Sequence, residues 1–268
     1  MQKRLRFSVF FLVLIILSAT YPRLAFSLPA TFDWRNNGGN YVTPIENQGS
    51  CGDCWAFSTT AAMESKNLIT AGKPEGLYNI DLSEQFLLSC SNAGTCAGGY
   101  IDQASNYIRD NGLPFESCIS YTGAVGACPS GCSDFHKISG WSWISQVTVD
   151  SIKNDLYTYG PIVATFAVYD DFYSYSGGIY SYQWGNYEGD HAVLVVGYDD
   201  NNQCFIVKNS WGPNWGGAGY FRIAYSQVGS SPVYFGTKDG SIYYGNTLNM
   251  NVQMGAGIVP LINNVLLH

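Results

Sequence analysis

The sequence predicts an α+β fold with two lobes, a helical lobe followed by an antiparallel, barrel-like β lobe. Helical patterns of apolar residues are confined to the first part of the chain, up to the Gly-Pro pair at residues 160–161. Beyond this pair, short runs rich in Val, Ile, Phe and Tyr are separated by Gly, Asn and Asp, which is typical of antiparallel strands. The 268 residues suffice for one large domain or for two lobes of roughly 100 residues each.

Four helices are predicted in the first part of the chain, at residues 54–71, 83–90, 100–110 and 149–158. The first contains no Gly or Pro, carries apolar residues at helical spacing, and is ended by Gly72 and Pro74. Ser83 is a favourable N-cap for the second helix. Gly160 and Pro161 end the fourth.

Four strands are predicted in the second part, at residues 162–169, 191–198, 204–208 and 219–224. Residues 28–50 are predicted to be irregular, and the Gly-, Ser- and Cys-rich residues 111–141 to be loops at the boundary between the lobes. The chain is therefore divided into a secretory signal (1–27), a helical lobe (28–140), a β lobe (141–236) and a C-terminal extension of unknown role (237–268), either an extra strand or the cut end of a longer protein.

The N-terminus has the pattern of a secretory signal peptide. Lys3, Arg4 and Arg6 precede an apolar stretch at residues 7–17, and small residues follow at Ala25 and Ser27. Eleven apolar residues are too few to span about 30 Å of hydrocarbon as a helix. The sequence therefore predicts a secreted or extracytoplasmic protein (periplasm, cell surface or medium) without stable membrane insertion after cleavage. An uncleaved anchor is the alternative.

Composition excludes two classes of protein. Thirteen Lys and Arg against twenty Asp and Glu give a net charge of −7, and this acidic balance argues against a nucleic-acid partner, which would require a basic face. Aromatic residues make up 15% of the chain and charged residues only 12%. Such a chain is too apolar to be intrinsically disordered.

The cysteines indicate an oxidising compartment. All eight follow the predicted signal, at Cys51, Cys54, Cys90, Cys96, Cys118, Cys128, Cys132 and Cys204. An exported chain with this many cysteines is expected to contain disulfides. If one cysteine is a free nucleophile, an odd number remains, so a second cysteine is free or bonds elsewhere.

The strongest motif is Gln-Gly-Ser-Cys-Gly-Asp-Cys-Trp-Ala-Phe at residues 48–57, which joins a loop to the first helix. Cys54 is thus predicted at a helix N-terminus, where the field of the helix lowers the pKa of a thiol and favours a nucleophilic thiolate. Two alternatives are a Cys51–Cys54 redox pair and a zinc site that includes Cys90 and Cys96.

A nucleophilic cysteine requires a base and a group that orients it. Of the three histidines, His268 is terminal and His136 is interpreted as a surface residue, whereas His191 begins an apolar strand. Asn209 follows the next strand, so antiparallel pairing would place it beside His191. Its side-chain oxygen could accept the imidazole N–H and direct the other ring nitrogen to sulfur.

Together these residues resemble the papain-like cysteine peptidase family over about residues 31–236. Further similar motifs occur in the family's order at residues 32–35 (Phe-Asp-Trp-Arg), 82–85 (Leu-Ser-Glu-Gln), 96–99 (Cys-Ala-Gly-Gly), 160–161 (Gly-Pro), 176–180 (Ser-Gly-Gly-Ile-Tyr), 209–212 (Asn-Ser-Trp-Gly) and 215–216 (Trp-Gly). The resemblance implies a cleft between the lobes and a secreted endopeptidase that hydrolyses peptide bonds through a thioester. Polypeptides would be its substrates and a monomer its form, with no metal and no cofactor.

The resemblance also assigns roles to individual residues. Cys54 would be the nucleophile, His191 its ion-pair partner and general acid, and Asn209 the group that orients His191. Gln48 would donate to the oxyanion together with the backbone N–H of Cys54. Three further residues would contact or cover the substrate site: Gly98 and Gly99, which would pair with the substrate backbone or form an ordinary turn, and Trp211, which would shield the His–Asn pair.

For the disulfides, the resemblance implies a bond between Cys51 and Cys96. Cys90 would bond to one residue of the set Cys118, Cys128 and Cys132, with the other two bonded to each other. Cys204 would remain free and buried in a strand.

Some features depart from the family pattern. Asp53 replaces a small residue beside the nucleophile, where it should raise the thiol pKa, and its side chain is expected to point to solvent. The family's long N-terminal inhibitory segment is not found after the predicted signal, so the enzyme would rely on a protein inhibitor or emerge active. No paired histidines lie between Cys118 and Cys132, which favours endopeptidase over exopeptidase action. An acyltransferase or transpeptidase with the same site, and a catalytically weak binding homologue, are the alternative functions.

Overall fold

A computed structural model describes residues 27–236 and 241–243 of the chain. The predicted signal peptide, apart from Ser27, and His268 lie outside the described residues. Five α-helices are present in this part of the chain, α1 (Cys54–Ala71), α2 (Glu84–Cys90), α3 (Ile101–Asp110), α4 (Val149–Tyr159) and α5 (Asp170–Tyr173). The first four confirm the predicted helices to within one residue at each end.

The strands of the described residues are β1 (Thr31–Asp33), β2 (Gly94–Thr95), β3 (Gly98–Gly99), β4 (Ser142–Trp143), β5 (Ile162–Tyr169), β6 (Tyr187–Asp199), β7 (Cys204–Lys208), β8 (Tyr220–Ala224) and β9 (Ser241–Tyr243). Seven of them form an antiparallel sheet in the order β4-β9-β5-β6-β7-β8, with β1 paired to the end of β6. Strands β2 and β3 form a separate two-stranded sheet. The mixed helical and antiparallel content confirms the α+β class, but no closed barrel forms among the described residues.

Strand β6 is the centre of the larger sheet. It pairs with β5 along one edge, where Phe166 faces His191, and with β7 along the other, where Leu194 faces Lys208. The strand begins at Tyr187, four residues before the predicted start, because pairing with β5 continues through Asp190 and Gly189 to Tyr187. His191 therefore lies inside a strand and not at its beginning.

Helix α1 forms the core of the helical lobe. Its residues from Trp55 to Leu68 are all buried, and it contacts α2 and α3 on the helical side and β5 and β6 on the sheet side. The absence of Gly and Pro permits this length, and Gly72 ends the helix in the left-handed conformation. None of the helices in residues 27–236 is both long and apolar enough to cross a lipid bilayer.

The disulfides agree with the pairing that the resemblance implies. Cys51 bonds to Cys96, Cys90 to Cys128, and Cys118 to Cys132. Cys204 is free and buried in β7. The last two bonds hold the long segment between Cys118 and Cys132, which contains no helix or strand. Three disulfides also fit an extracytoplasmic location.

Both the start of the predicted helical lobe and the predicted C-terminal extension contribute a strand to the larger sheet. Residues 28–50 contain, besides irregular structure, strand β1 and a 3-10 turn at Trp34–Asn36. Strand β1 pairs with β6, so this segment reaches across to the β lobe. In the predicted C-terminal extension, β9 pairs with β4 and β5.

Candidate active site

Cys54 is the first residue of α1 and reaches this position through a tightly held loop. The Cys51–Cys96 disulfide and a hydrogen bond from the Gly52 N–H to the Cys96 carbonyl, 2.9 Å long, fix Cys51 and Gly52. A Cβ at Gly52 would lie 2.7 Å from that carbonyl oxygen, so the approach requires glycine. The loop therefore presents the thiol at the helix N-terminus.

His191 and Asn209 form a buried pair on neighbouring strands. The distance from His191 Nε2 to Asn209 Oδ1 is 2.7 Å. Asn209 follows β7 directly, and Oδ1 also accepts a hydrogen bond from the Ser210 N–H at 2.9 Å. Because Oδ1 accepts, Nε2 carries the proton and Nδ1 keeps a free lone pair. The antiparallel pairing of β6 and β7 thus produces the juxtaposition that sequence reasoning predicted.

Gln48 is held from several sides. Its backbone N–H donates to the Ser210 carbonyl at 2.9 Å, its Oε1 accepts from the Ser210 hydroxyl at 2.6 Å, and its Nε2 donates to the Cys51 carbonyl at 2.8 Å. The amide nitrogen has two hydrogens, so one is available beyond the Cys51 carbonyl. The loop before Cys54 is therefore fastened to the loop after Asn209.

One cleft collects almost all of the predicted site residues. Its volume is about 1060 Å³, and its lining includes Gln48, Cys54, Gly98, Gly99, His191 and Trp211. Asn209 does not line this cleft, because it lies behind His191. The cleft is larger than the usual pocket for one small molecule, about 300–1,000 Å³. Its size suits an extended ligand.

An aromatic stack covers the histidine. The ring of Trp211 lies 4.8 Å from that of His191, and Tyr173 stacks on the outer face of Trp211 at 5.3 Å and 12°. His191 is accordingly only 5% exposed. Trp211 thus occupies the position predicted for a residue that excludes water from the His–Asn pair. Tyr173 was not identified from the sequence.

Gly98 and Gly99 form strand β3 at the rim of the cleft. They pair with β2 on one side, and both are exposed. The Trp55 ring lies directly beneath, since a Cβ at Gly99 would be 2.6 Å from Trp55 Nε1. The two glycines are therefore part of a strand and not an isolated turn, with room for a second backbone beside them.

Burial determines the protonation of the thiol and the imidazole. Desolvation raises the pKa of Cys54 to about 11, in spite of hydrogen bonds from backbone N–H groups that include that of Ala192 across the cleft. Desolvation also lowers the pKa of His191 to about 4, against the effect of Asn209. Desolvation thus opposes the lowering of the thiol pKa that is expected at a helix N-terminus.

The side chain of Asp53 was expected to point to solvent, and this expectation is wrong. The residue is fully buried, and Tyr121 Oη lies 3.0 Å and 2.9 Å from the two carboxylate oxygens. Burial raises the pKa of Asp53 to about 6. As predicted, its charge raises the pKa of the neighbouring thiol.

The alternative roles for the Cys-x-x-Cys motif do not agree with the structure. Cys51 is bonded to Cys96, so it does not form a redox pair with Cys54. Cys90 is bonded to Cys128, and both proposed zinc ligands outside the motif are thereby used in disulfides. Cys54 is the free cysteine of the cleft. The other histidine within the described residues, His136, is half-buried against Phe115 and Asn67 and does not line the cleft.

The sequence is similar to a known family over most of its length. The model of the papain family of cysteine proteases matches residues 28–234. The chain belongs to this family. It is therefore a cysteine peptidase, a hydrolase, and the two-lobed fold inferred from the motifs is confirmed.

The relatives of this papain-family peptidase include cathepsins. It is 34% identical over 208 residues to cathepsin B-like CP3 of Giardia intestinalis, covering 73% of this chain and 69% of that protein. It is 41% identical over 210 residues to pro-cathepsin H of Bos taurus, covering 73% of this chain but only 59% of that protein.

The structural comparison gives the same family. The bromelain protease of Ananas comosus in complex with the E64 inhibitor superimposes with a TM-score of 0.70 at 33% identity, over 81% of this chain and 99% of that one. Procathepsin L2 of the Tenebrio molitor larval midgut superimposes with a TM-score of 0.71 at 36% identity, over 83% and 70%.

Besides Tyr173, two residues of the site were not predicted from the sequence, Ser210 and Tyr121. Ser210 holds the Gln48 side chain, and its place beside Asn209 in the Asn-Ser-Trp-Gly motif was a usable signal. Tyr121 contacts Asp53 and the Gln48 carbonyl from a loop 68 positions away in sequence. No local sequence pattern around Tyr121 predicts that contact.

Proposed function

We propose that the protein is a secreted cysteine endopeptidase that hydrolyses polypeptides through a Cys54–His191–Asn209 site. The observation that carries this proposal is the buried 2.7 Å hydrogen bond between His191 Nε2 and Asn209 Oδ1, on the cleft that also contains the free thiol of Cys54. It leaves Nδ1 of His191 as the proton acceptor. A monomer acting on extended polypeptides suits the open cleft.

The proposed reaction depends on proton transfers between Cys54 and His191. The proton of the Cys54 thiol passes to His191 Nδ1 as sulfur attacks the peptide carbonyl carbon, and this transfer creates a charge pair with no net charge in the desolvated site. The imidazolium then gives the proton to the leaving amine, and a thioester remains. Water, deprotonated by His191, attacks the thioester, and the acid leaves as the thiol is restored.

Hydrogen-bond donors must stabilise the negative charge that develops on the substrate carbonyl oxygen during the reaction. The free hydrogen of Gln48 Nε2 and the backbone N–H of Cys54 are placed at the start of α1, where the helix field also favours an anion. Gly98 and Gly99 offer backbone groups to an extended substrate, in the manner of an added strand. Such pairing uses groups common to all peptides, so it supports a polypeptide substrate without strong sequence preference.

An irreversible thiol-directed epoxide tests the proposal on the full chain. We expect one equivalent to label Cys54, located by peptide mass spectrometry, and fluorogenic dipeptidyl amides to be cleaved until labelling is complete. Cys204→Ala is the matched control, because Cys204 is the other free cysteine of the described residues and is fully buried. Labelling of Cys54 in the Cys204→Ala variant should be the same as in wild type. Labelling at Cys204, or labelling of Cys54 without any amide cleavage, would refute the endopeptidase.

Gln48→Ala tests the oxyanion donors. We expect kcat on a dipeptidyl amide to fall by about 10²–10³-fold with little change in KM, because the lost hydrogen bond forms only as charge develops on oxygen. Steady-state kinetics at fixed pH measure both constants, and thermal unfolding verifies that the loop is intact. A rise in KM with kcat preserved would instead assign Gln48 to ground-state binding.

A further inference from the structure

The buried carboxyl of Asp53 has a place in the chemistry of the site that the reaction scheme does not use. Asp53 immediately precedes the nucleophile, and its backbone carbonyl accepts the first hydrogen bonds of α1, from Ala56 and Phe57. Its side chain makes no capping bond to the helix. It contacts the Tyr121 hydroxyl instead. The salt bridges found within residues 27–236 involve other carboxylates, at Asp33, Asp110 and Asp200.

The hydroxyl of Tyr121 is shared among three acceptors. It lies 3.0 Å and 2.9 Å from the two oxygens of Asp53, and 3.0 Å from the backbone carbonyl oxygen of Gln48. A phenol has one hydrogen, so an ionised Asp53 competes with Gln48 for it. A protonated Asp53 adds a second hydrogen. Asp53 can then donate to the Tyr121 oxygen while Tyr121 donates to Gln48, and both hydrogens are used.

The surroundings favour the protonated form. Phe57 of α1 packs edge-on against the Tyr121 ring at 4.9 Å, and Asp53 itself is fully buried. The titratable groups that act on this pair are the Cys54 thiol beside Asp53 and the carboxyl of Glu84, which acts on Tyr121. No cation is among the groups that act on Asp53. A lone carboxylate in such a site is costly.

We propose that Asp53 and Tyr121 form a proton-gated positioning pair, which keeps Cys54 reactive and Gln48 anchored only while Asp53 is protonated. Ionisation of Asp53 places a negative charge beside the sulfur and opposes the thiolate, and it withdraws the Tyr121 hydrogen from the Gln48 carbonyl. Both effects reduce activity in the same direction. The inference rests on the proposed function, since it concerns the same thiol and the same oxyanion donor.

The sign of the pH dependence follows from burial. The pKa of Asp53 is raised to about 6, so the carboxyl is neutral in mildly acidic solution and ionised above neutrality. Activity should therefore fall as pH rises through this region, and the enzyme should work best on the acidic side. A small residue at position 53 would lack this limit.

Asp53→Asn provides the decisive variant, because an amide can donate to Tyr121 as a protonated carboxyl does and never ionises. The rate of Cys54 alkylation by iodoacetamide, followed by mass spectrometry between pH 4.5 and 8, reports thiol reactivity without any peptide substrate. We expect wild type and variant to agree at the acidic end. At the alkaline end wild type should be about tenfold slower, the effect of one pKa unit on the thiolate. Identical profiles would overturn the proposal.

Two further variants separate gating from simple support. Asp134→Asn removes an exposed carboxylate at a position with a left-handed backbone, which asparagine also adopts. The pH profile of Cys54 alkylation in this variant should match that of wild type. Tyr121→Phe removes the shared hydrogen, so Asp53 should remain protonated to higher pH, and the slowing relative to Asp53→Asn should begin at a higher pH than in wild type. A purely structural Tyr121 would lower the rate equally at every pH, which contradicts gating.

Wild-type protein with carboxyl-¹³C aspartate tests the titration without any variant. The Asp53 resonance should titrate well above the ordinary aspartate value of about 4; a normal titration overturns the proposal even if Asp53→Asn does not fold. Cleavage of a dipeptidyl amide, measured in parallel, separates the two proposals. A shifted alkylation profile without cleavage would refute the proposed endopeptidase and leave the proton-gated pair intact.

Discussion

Replacement of Cys54 by Ala should lower kcat on dipeptidyl amides by on the order of 10⁶-fold while leaving the fold intact. Cys54 is only partly buried at the start of α1, so the loss of its sulfur removes few packing contacts. The whole reaction, in contrast, depends on a thioester that alanine cannot form. Amide turnover and urea unfolding, measured on the same preparation, check the two parts of the expectation.

The double variant Cys54→Ala with His191→Ala sharpens this prediction. Because the thiol and the imidazole act as a unit, the double variant should be no slower than Cys54→Ala alone. Cys204→Ala, which changes a buried thiol outside the cleft, should retain wild-type turnover. Losses that multiply in the double variant would show that His191 and Cys54 act independently, against the assigned proton transfer.

Replacement of Lys208 by Met should have the largest effect on stability. Lys208 is 5% exposed, and its Nζ donates to the Thr43 hydroxyl at 3.1 Å. That hydroxyl in turn donates to buried Glu64 at 2.6 Å. The Lys208 charge lowers the pKa of Glu64, which burial raises. Removal of one member of a buried charge pair typically costs about 3–5 kcal/mol in free energy of unfolding.

The pH dependence of that loss identifies its cause. Glu64 is linked to Lys208 through the Thr43 hydroxyl, and Glu84, Glu46 and Asp81 also act on Lys208. Burial raises the pKa of each of these four carboxyls, so they take up protons at a higher pH than exposed carboxyls do, and a neutral carboxyl no longer needs a cation. The difference between Lys208→Met and wild type should therefore be large at pH 7.5 and should shrink as pH falls. Urea unfolding under non-reducing conditions at both pH values measures it.

Lys153→Met is the matched control for Lys208. The Lys153–Asp200 pair is 2.6 Å long, but the carboxylate retains 29% of its side-chain exposure. Asp200 can be solvated when Lys153 is lost, so the free energy of unfolding should fall less than in Lys208→Met. Equal losses for the two lysines, or a Lys208 loss that does not change with pH, would contradict the interpretation of Lys208 as the counter-charge of the buried carboxylates.

The helices were accessible from sequence because their signals are local. The apolar spacing of α1, its lack of Gly and Pro, and the Ser83 hydroxyl that accepts from the Phe86 N–H all depend on residues within a few positions. Strand β6 shows the limit of such reasoning. Its first residues, from Tyr187 to Asp190, are not apolar, and they are strand only because β5 supplies their hydrogen-bond partners.

The site divides in the same way. The identities of Gln48, Cys54, His191 and Asn209 were visible in the sequence, since each occurs in a short motif and the chemistry of a thiol nucleophile requires such partners. Their adjacency, however, needs the pairing of β6 with β7 and the bonds between Gln48 and Ser210. The large cleft lined by Gln48, Cys54 and His191 is a property of both lobes together.

What the sequence determined by itself was the class of fold, the helix boundaries and the residues able to carry the reaction, because these depend on neighbours along the chain. The tertiary structure decided the electrostatic surroundings of those residues. It buried Asp53 against a tyrosine distant in sequence, and it desolvated both Cys54 and His191. A pKa depends on solvent access and on groups brought near by folding, and neither can be obtained from the order of residues alone.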